Sequence, residues 1–265
     1  IEINPDDYSS LNGRSKALNK LGKYEEAIAS LDKSLKINPN EYSAWYRRAV
    51  ALNQLGKYEE AVTSLDQALK FNPDEYYTWN FRGCALDKLG KYEEAIASYN
   101  QAIQINPDEY YAWNLRGKAL NNLGKYEEAI SSLDQAIEIN SDDYTAWNNR
   151  GLALDKLGKY EEAIASYDQA LEINSDEYYT WAWRGSVLNN LGKYEEAIAN
   201  YKKAIEIDPD EYIAWVNRGL VLDQLGKYSD AIASYNKALE INPNEYFAWN
   251  NRGNALNNLG KHEKA

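Results

Sequence analysis

The sequence predicts an all-α protein, built as a solenoid of helical hairpins. Two observations carry that prediction. Tryptophan recurs at 45, 79, 113, 147, 181, 215 and 249, always 34 residues apart. Glycine keeps the same step at 22, 56, 90, 124, 158, 192, 226 and 260. A fixed period of this size means stacked supersecondary units rather than a compact globule.

Counted from the tyrosine three residues before each tryptophan, complete units occupy 8–41, 42–75, 76–109, 110–143, 144–177, 178–211 and 212–245. Residues 1–7 read as the tail of a preceding repeat, and 246–265 as a partial eighth. The unit 144–177 shows how each element arises. Asp142 and Asp143 stand just upstream, where acidic and capping residues suit a helix start. Tyr144, Trp147, Gly151, Leu154 and Leu157 then keep a helical spacing. Gly158 stops this first helix, because glycine accepts the left-handed conformation past a helix end. The second helix carries Tyr160, Ala163, Ile164, Tyr167, Ala170 and Leu171 on one stripe and ends at Asn174. In most units a proline follows, which cannot continue a helix (Pro39, Pro73, Pro107, Pro209, Pro243). Gly151, Ala163 and Ala170 let the two backbones approach. One hairpin cannot cover its own apolar face, so neighbours stack.

Composition narrows the function classes. Charged residues are 26% and hydrophobic ones 44%, ordinary for a soluble protein. The net charge of -12 argues against a nucleic-acid partner, whose phosphates demand clustered Lys and Arg, and against docking on an anionic membrane. No apolar run approaches the roughly 20 residues of a membrane span. The lone cysteine, Cys84, fits a reducing compartment, so a cytoplasmic location is the expectation. The chain begins at Ile1 and lacks methionine, as a segment cut from a longer protein would.

These residues resemble the tetratricopeptide repeat (TPR) family, whose 34-residue pattern is W-x2-L-G-x2-Y…A-x3-F…P. Here the pattern reads Trp79-x2-Arg82-Gly83-x2-Leu86, then Ala95-x3-Tyr99, then Pro107. The resemblance covers the whole chain. It implies a right-handed superhelix of antiparallel helix pairs, with the first helices lining a groove that holds extended peptides or partner helices. Arginine departs from the pattern at the seventh position of every unit (Arg14, Arg48, Arg82, Arg116, Arg150, Arg184, Arg218, Arg252). The expectation is that these stems pack between units while the guanidinium reaches carboxylates or helix-end carbonyls.

If positions 4, 8 and 11 of the first helix face the core, then 2, 5, 9 and 12 lie together away from it. The resemblance adds position 6 to this groove face. Asparagine recurs there: Asn80, Asn114, Asn148 and Asn250 at position 5, Asn149, Asn217 and Asn251 at position 6, Asn121 and Asn189 at position 12. A carboxamide both donates and accepts, so it matches a peptide bond and ignores the side chain attached to it. Some members of the resembled family hold a peptide backbone with such a ladder. Alternatively, these are solvated polar residues repeated by duplication, and both readings stand. Apolar residues share the face: Tyr77, Tyr111 and Tyr179 at position 2, Phe81, Leu115 and Trp183 at position 6. Trp183 is the only tryptophan outside the 34-residue register, so the core does not explain it. Together they would form an apolar strip suited to an extended segment or amphipathic helix.

Catalytic chemistry finds no constellation. His262 has no base or metal role, Cys84 has no histidine to activate it, and "LGKY" lacks the spacing of a phosphate loop. No cofactor is expected. No unit has the lysine at position 5 that a carboxylate clamp of some relatives requires. The sequence therefore predicts a non-catalytic protein-interaction module. The alternatives are a spacer that self-associates by end-to-end stacking, or the repeat segment of a larger enzyme.

Overall fold

The computed structural model describes residues 7–260. The tail at 1–6, the end of the partial repeat at 261–265 and His262 lie outside the described residues. Among the described residues there are fifteen helices and no strand. First helices are α1 (Tyr8–Lys20), α3 (Tyr42–Gln54), α5 (Tyr76–Lys88), α7 (Tyr110–Asn122), α9 (Tyr144–Lys156), α11 (Tyr178–Asn190), α13 (Tyr212–Gln224) and α15 (Tyr246–Asn258). Second helices are α2 (Tyr24–Ile37), α4 (Tyr58–Phe71), α6 (Tyr92–Ile105), α8 (Tyr126–Ile139), α10 (Tyr160–Ile173), α12 (Tyr194–Ile207) and α14 (Tyr228–Ile241).

The chain divides into two compact units, 1–139 with α1–α8 and 140–265 with α9–α15. Within each, every helix packs on the next, and first helices also touch the first helix of the following hairpin, as α5 does α7 and α11 does α13.

The turns follow the sequence reading. Gly158 has φ 73°, and the Lys159 amide donates back to the Leu154 carbonyl at 2.9 Å, capping the helix end. Each register tryptophan ties down the loop before it: the Trp79 Nε1–H donates to the Pro73 carbonyl at 2.8 Å, and Trp147 to the Ser141 carbonyl at 2.9 Å. The carbonyl is what the tryptophan uses, so serine can replace proline at 141 and 175 without loss of that bond.

The helical glycine makes room for a ring. A Cβ on Gly151 would lie 2.6 Å from Tyr167 Cε1, and one on Gly219 2.5 Å from Tyr235 Cε1. Where leucine replaces that tyrosine, as Leu31 and Leu65, the facing residue grows to Ser15 or Ala49, although Gly117 still faces Leu133. Volume is matched across the hairpin.

The position-seven arginines clamp consecutive second helices. Arg82 Nε donates to Asp66 on α4 at 2.7 Å and its terminal nitrogen to the Ser98 hydroxyl on α6 at 2.8 Å. Arg48 does the same with Asp32 and Ser64, and Arg184 with Asp168 and Asn200. The carboxylate partner was expected; the buried serines were not. Each serine also donates to the carbonyl one turn back in its own helix, as Ser98 does to Glu94.

Candidate functional site

The first helices place three of the predicted rows differently. Position 2 is open: Tyr77, Tyr111, Tyr179, Ile213 and Phe247 are all exposed. Position 6 is half-buried, with Phe81, Leu115, Asn149, Trp183, Asn217 and Asn251 sharing that state. Position 5 is closed in α5, α7 and α9. Asn80, Asn114 and Asn148 are only 5–6% exposed, and Asn121 at position 12 is buried as well.

The expectation that these rows face the groove is therefore corrected at Asn80, Asn114, Asn148 and Asn121. A single hairpin viewed alone leaves those positions outside its core, but where consecutive first helices touch within a unit, as α5 with α7 and α9 with α11, Asn80 and Asn148 are buried. Asn148 illustrates the use made of them: its amide donates to the Thr180 hydroxyl at 2.8 Å, and that hydroxyl stands 3.0 Å from its carbonyl oxygen. Asn12 likewise donates to Ser43 at 2.7 Å and accepts from Arg47. Asn80 Oδ1 is buried and accepts nothing, as is Oδ1 of Asn121 and of Asn189, the latter half-buried overall. Asn250, on α15, is exposed.

Aromatic rings gather on the open positions. In the unit 1–139, Tyr46 meets Tyr77 edge-on at 5.6 Å and Phe81 at 5.9 Å. In the unit 140–265, Tyr179 stacks on Trp183 at 5.6 Å with 24° between the planes, and Trp183 also meets the buried Tyr167 at 6.3 Å. Trp183 thus belongs partly to the scaffold and partly to the open face.

Two hollows lie on this face of the unit 140–265. The first, about 230 Å³, is bounded by Tyr144, Thr145, Asn148, Asn149, Glu177, Tyr179 and Trp183. The second, about 440 Å³, is bounded by Tyr212, Ile213, Val216, Asn217, Leu220, Glu245, Tyr246, Phe247 and Asn251. They occupy the same register two hairpins apart. The glutamates just before the helix, and the tyrosines that open it, were not predicted here. Their sequence signal was absorbed by capping and by the repeat register.

Two larger hollows, about 570 and 520 Å³, open beside the arginine clamps of α4–α6 and α2–α4. Their polar groups are already joined as Arg82–Asp66 and Arg48–Asp32. They offer a ligand little unspent hydrogen bonding.

Reactive chemistry is sparse. Burial pushes the Cys84 thiol above its ordinary pKa, which opposes thiolate formation. Among the described residues no cluster of three or more His, Cys, Asp or Glu could hold a metal ion. No described helix is long and apolar enough to cross a membrane.

Comparison with known families matches this architecture. One tetratricopeptide repeat model covers 4–76 and 82–144, another 144–177 and 212–245, and a third 234–265; a TPR repeat model covers 185–226. The chain belongs to the tetratricopeptide repeat family. Its fold is similar to that of a tetratricopeptide repeat protein from Parabacteroides merdae ATCC 43184, at 21% identity and TM-score 0.74, covering 94% of this chain and 98% of that one. It is also similar to the APC/C hetero-tetramer Cut9-Hcn1, at 19% identity and TM-score 0.71, covering 96% of this chain and 50% of that one. YrrB, described as a TPR protein with an unusual peptide-binding site, aligns at 21% identity and TM-score 0.58, covering 71% of this chain and 97% of that one. No curated protein matches the sequence. At these identities the likeness establishes the tetratricopeptide fold and nothing finer.

Proposed function

We propose that this chain is a non-catalytic protein-interaction module that holds a polypeptide segment on the face of its first helices. The observation that carries the reading is the row at position 2, which stays exposed along the first helices. Tyr179 is 48% and Phe247 53% exposed, each beside a hollow whose wall also carries position-6 asparagines. Exposed aromatics gathered beside partly buried amides are what an extended peptide uses: pockets for alternate side chains and amides for its backbone. Likeness to a peptide-binding TPR protein adds to this reading without assigning a residue. The predicted site contracts accordingly. Tyr77, Phe81, Tyr111, Leu115, Asn149, Tyr179, Trp183, Asn189, Asn217, Asn250 and Asn251 stay in it, while Asn80, Asn114, Asn121 and Asn148 are buried and leave it. Nucleic acid and membranes are not the partners, given the acidic charge.

The test selects binders from a phage-displayed random dodecapeptide library. Wild type should yield a peptide motif, and Asn217→Ala with Asn251→Ala should weaken the selected peptide at least fivefold while the melting temperature stays within a degree. No enrichable peptide, or unchanged affinity in the double variant, would overturn the reading.

A further inference from the structure

The two hollows share a register and differ in their walls and in the glutamate at the helix start. In the hollow between α13 and α15, the Glu245 carboxylate accepts from the Phe247 amide at 3.1 Å. Glu211, at the start of α13, accepts from the Ile213 amide at 3.1 Å and from the Tyr178 hydroxyl at 3.3 Å. Glu177, at the start of α11, makes no such cap bond. It is half-buried and borders the 230 Å³ hollow beside the Tyr179–Trp183 stack.

We infer that the hollow between α9 and α11 receives the cationic end of an arginine or lysine side chain from the bound polypeptide, with Glu177 as its counter-ion and Tyr179 and Trp183 as its stacking faces. This rests on the proposed peptide-holding function. Stacked aromatic faces attract a cation through the ring quadrupole, most strongly tryptophan, and a guanidinium also stacks flat. A partly desolvated carboxylate without a partner adds a charge-assisted hydrogen bond. The arginines on these helices are turned elsewhere: Arg184 goes to Asp168 and Asn200, and Arg150 to Ser166. The net charge of -12 favours approach of a basic segment to this wall. The larger hollow, with its carboxylate engaged and its wall formed by Ile213, Val216, Leu220 and Phe247, takes an apolar side chain instead. The two differ enough to give the bound chain a direction.

Dodecapeptides selected against wild type are compared with those selected against Glu177→Gln, whose helix loses no cap bond and whose folding is checked by circular dichroism. Wild-type binders should share an arginine or lysine at one motif position. Replacing that residue by norleucine in the synthetic peptide should cost at least tenfold in affinity for wild type and under threefold for Glu177→Gln. A motif with an aromatic residue at that position, a motif without a basic residue, or an equal norleucine loss in both proteins would overturn the inference while leaving peptide binding standing. Failure to select any peptide would overturn both.

Discussion

Asn148 shows how one residue changes role once its neighbours are in place. Its amide and the Thr180 hydroxyl, both buried, are bonded to each other across consecutive first helices. Asn148→Ala would leave Thr180 without its partner, so we expect a loss of about 1–2 kcal/mol, read as a lower urea midpoint. An unchanged midpoint would return Asn148 to the groove. The helical glycines divide in the same way. A Cβ on Gly219 would collide with the buried Tyr235 ring, and Gly219→Ala should cost about 1–3 kcal/mol through overpacking. Gly13 faces nothing within 4 Å, and Gly13→Ala should stabilise by about 0.5–1 kcal/mol, because it only restricts the unfolded chain. Thermal melts of the two variants should move in opposite directions. Asp223 adds a pH effect. Burial raises its carboxyl pKa, and its Oδ1 accepts no hydrogen bond. The folded state then holds a proton more tightly than the unfolded chain does, so this group's penalty is full above the folded pKa and fades as pH falls toward the ordinary carboxylate value. Asp223→Asn, which reproduces the residue at Asn121 and Asn189, should therefore raise the melting temperature at pH 7 and have little effect near pH 3. An equal gain at both pH values would place the benefit elsewhere than in the charge.

At the scale of the element, the arginine clamp governs how second helices join. Position 7 needs a carboxylate sixteen residues back and a hydroxyl or amide sixteen ahead, and Arg82 has both. Three clamps lack the acid, and in one of them Arg252 donates to the Asn236 amide oxygen instead. Arg116 faces the register position of Asn100, and its buried Nε has no acceptor; Arg218 faces that of Lys202. Burial correspondingly pulls the Arg116 pKa down from its ordinary value. Asn100→Asp and Lys202→Asp should each add about 0.5–1 kcal/mol, the scale of a half-exposed ion pair, and the gain should shrink in high salt. The arginine's partner type was legible in sequence because an uncompensated charge beside a core stripe needs one. The serine was not, since a small hydroxyl inside an amphipathic helix carries no signal until a second helix is placed against it.

For the whole molecule, the 34-residue period makes stability a sum of hairpin and neighbour terms within each compact unit. A lesion should therefore stay local. In Gly219→Ala, amide exchange should accelerate in α13–α15 and be unchanged in α1–α4; uniform acceleration would show a single cooperative block. The same additivity lets individual hairpins specialise, as the hollows at α9–α11 and α13–α15 do. By itself the sequence determined the hairpin, its turns and its repetition, because those depend on spacing and on local propensity at Gly158, Trp147 and their equivalents. It also marked which helix face varies. Only the packed structure decided which asparagines that face exposes, because the second contact of a first helix such as α5 or α9, with its counterpart in the next hairpin, leaves no trace in the period of one helix. That contact buries Asn80 and Asn148 and leaves Tyr179, Trp183 and Glu177 at an open wall.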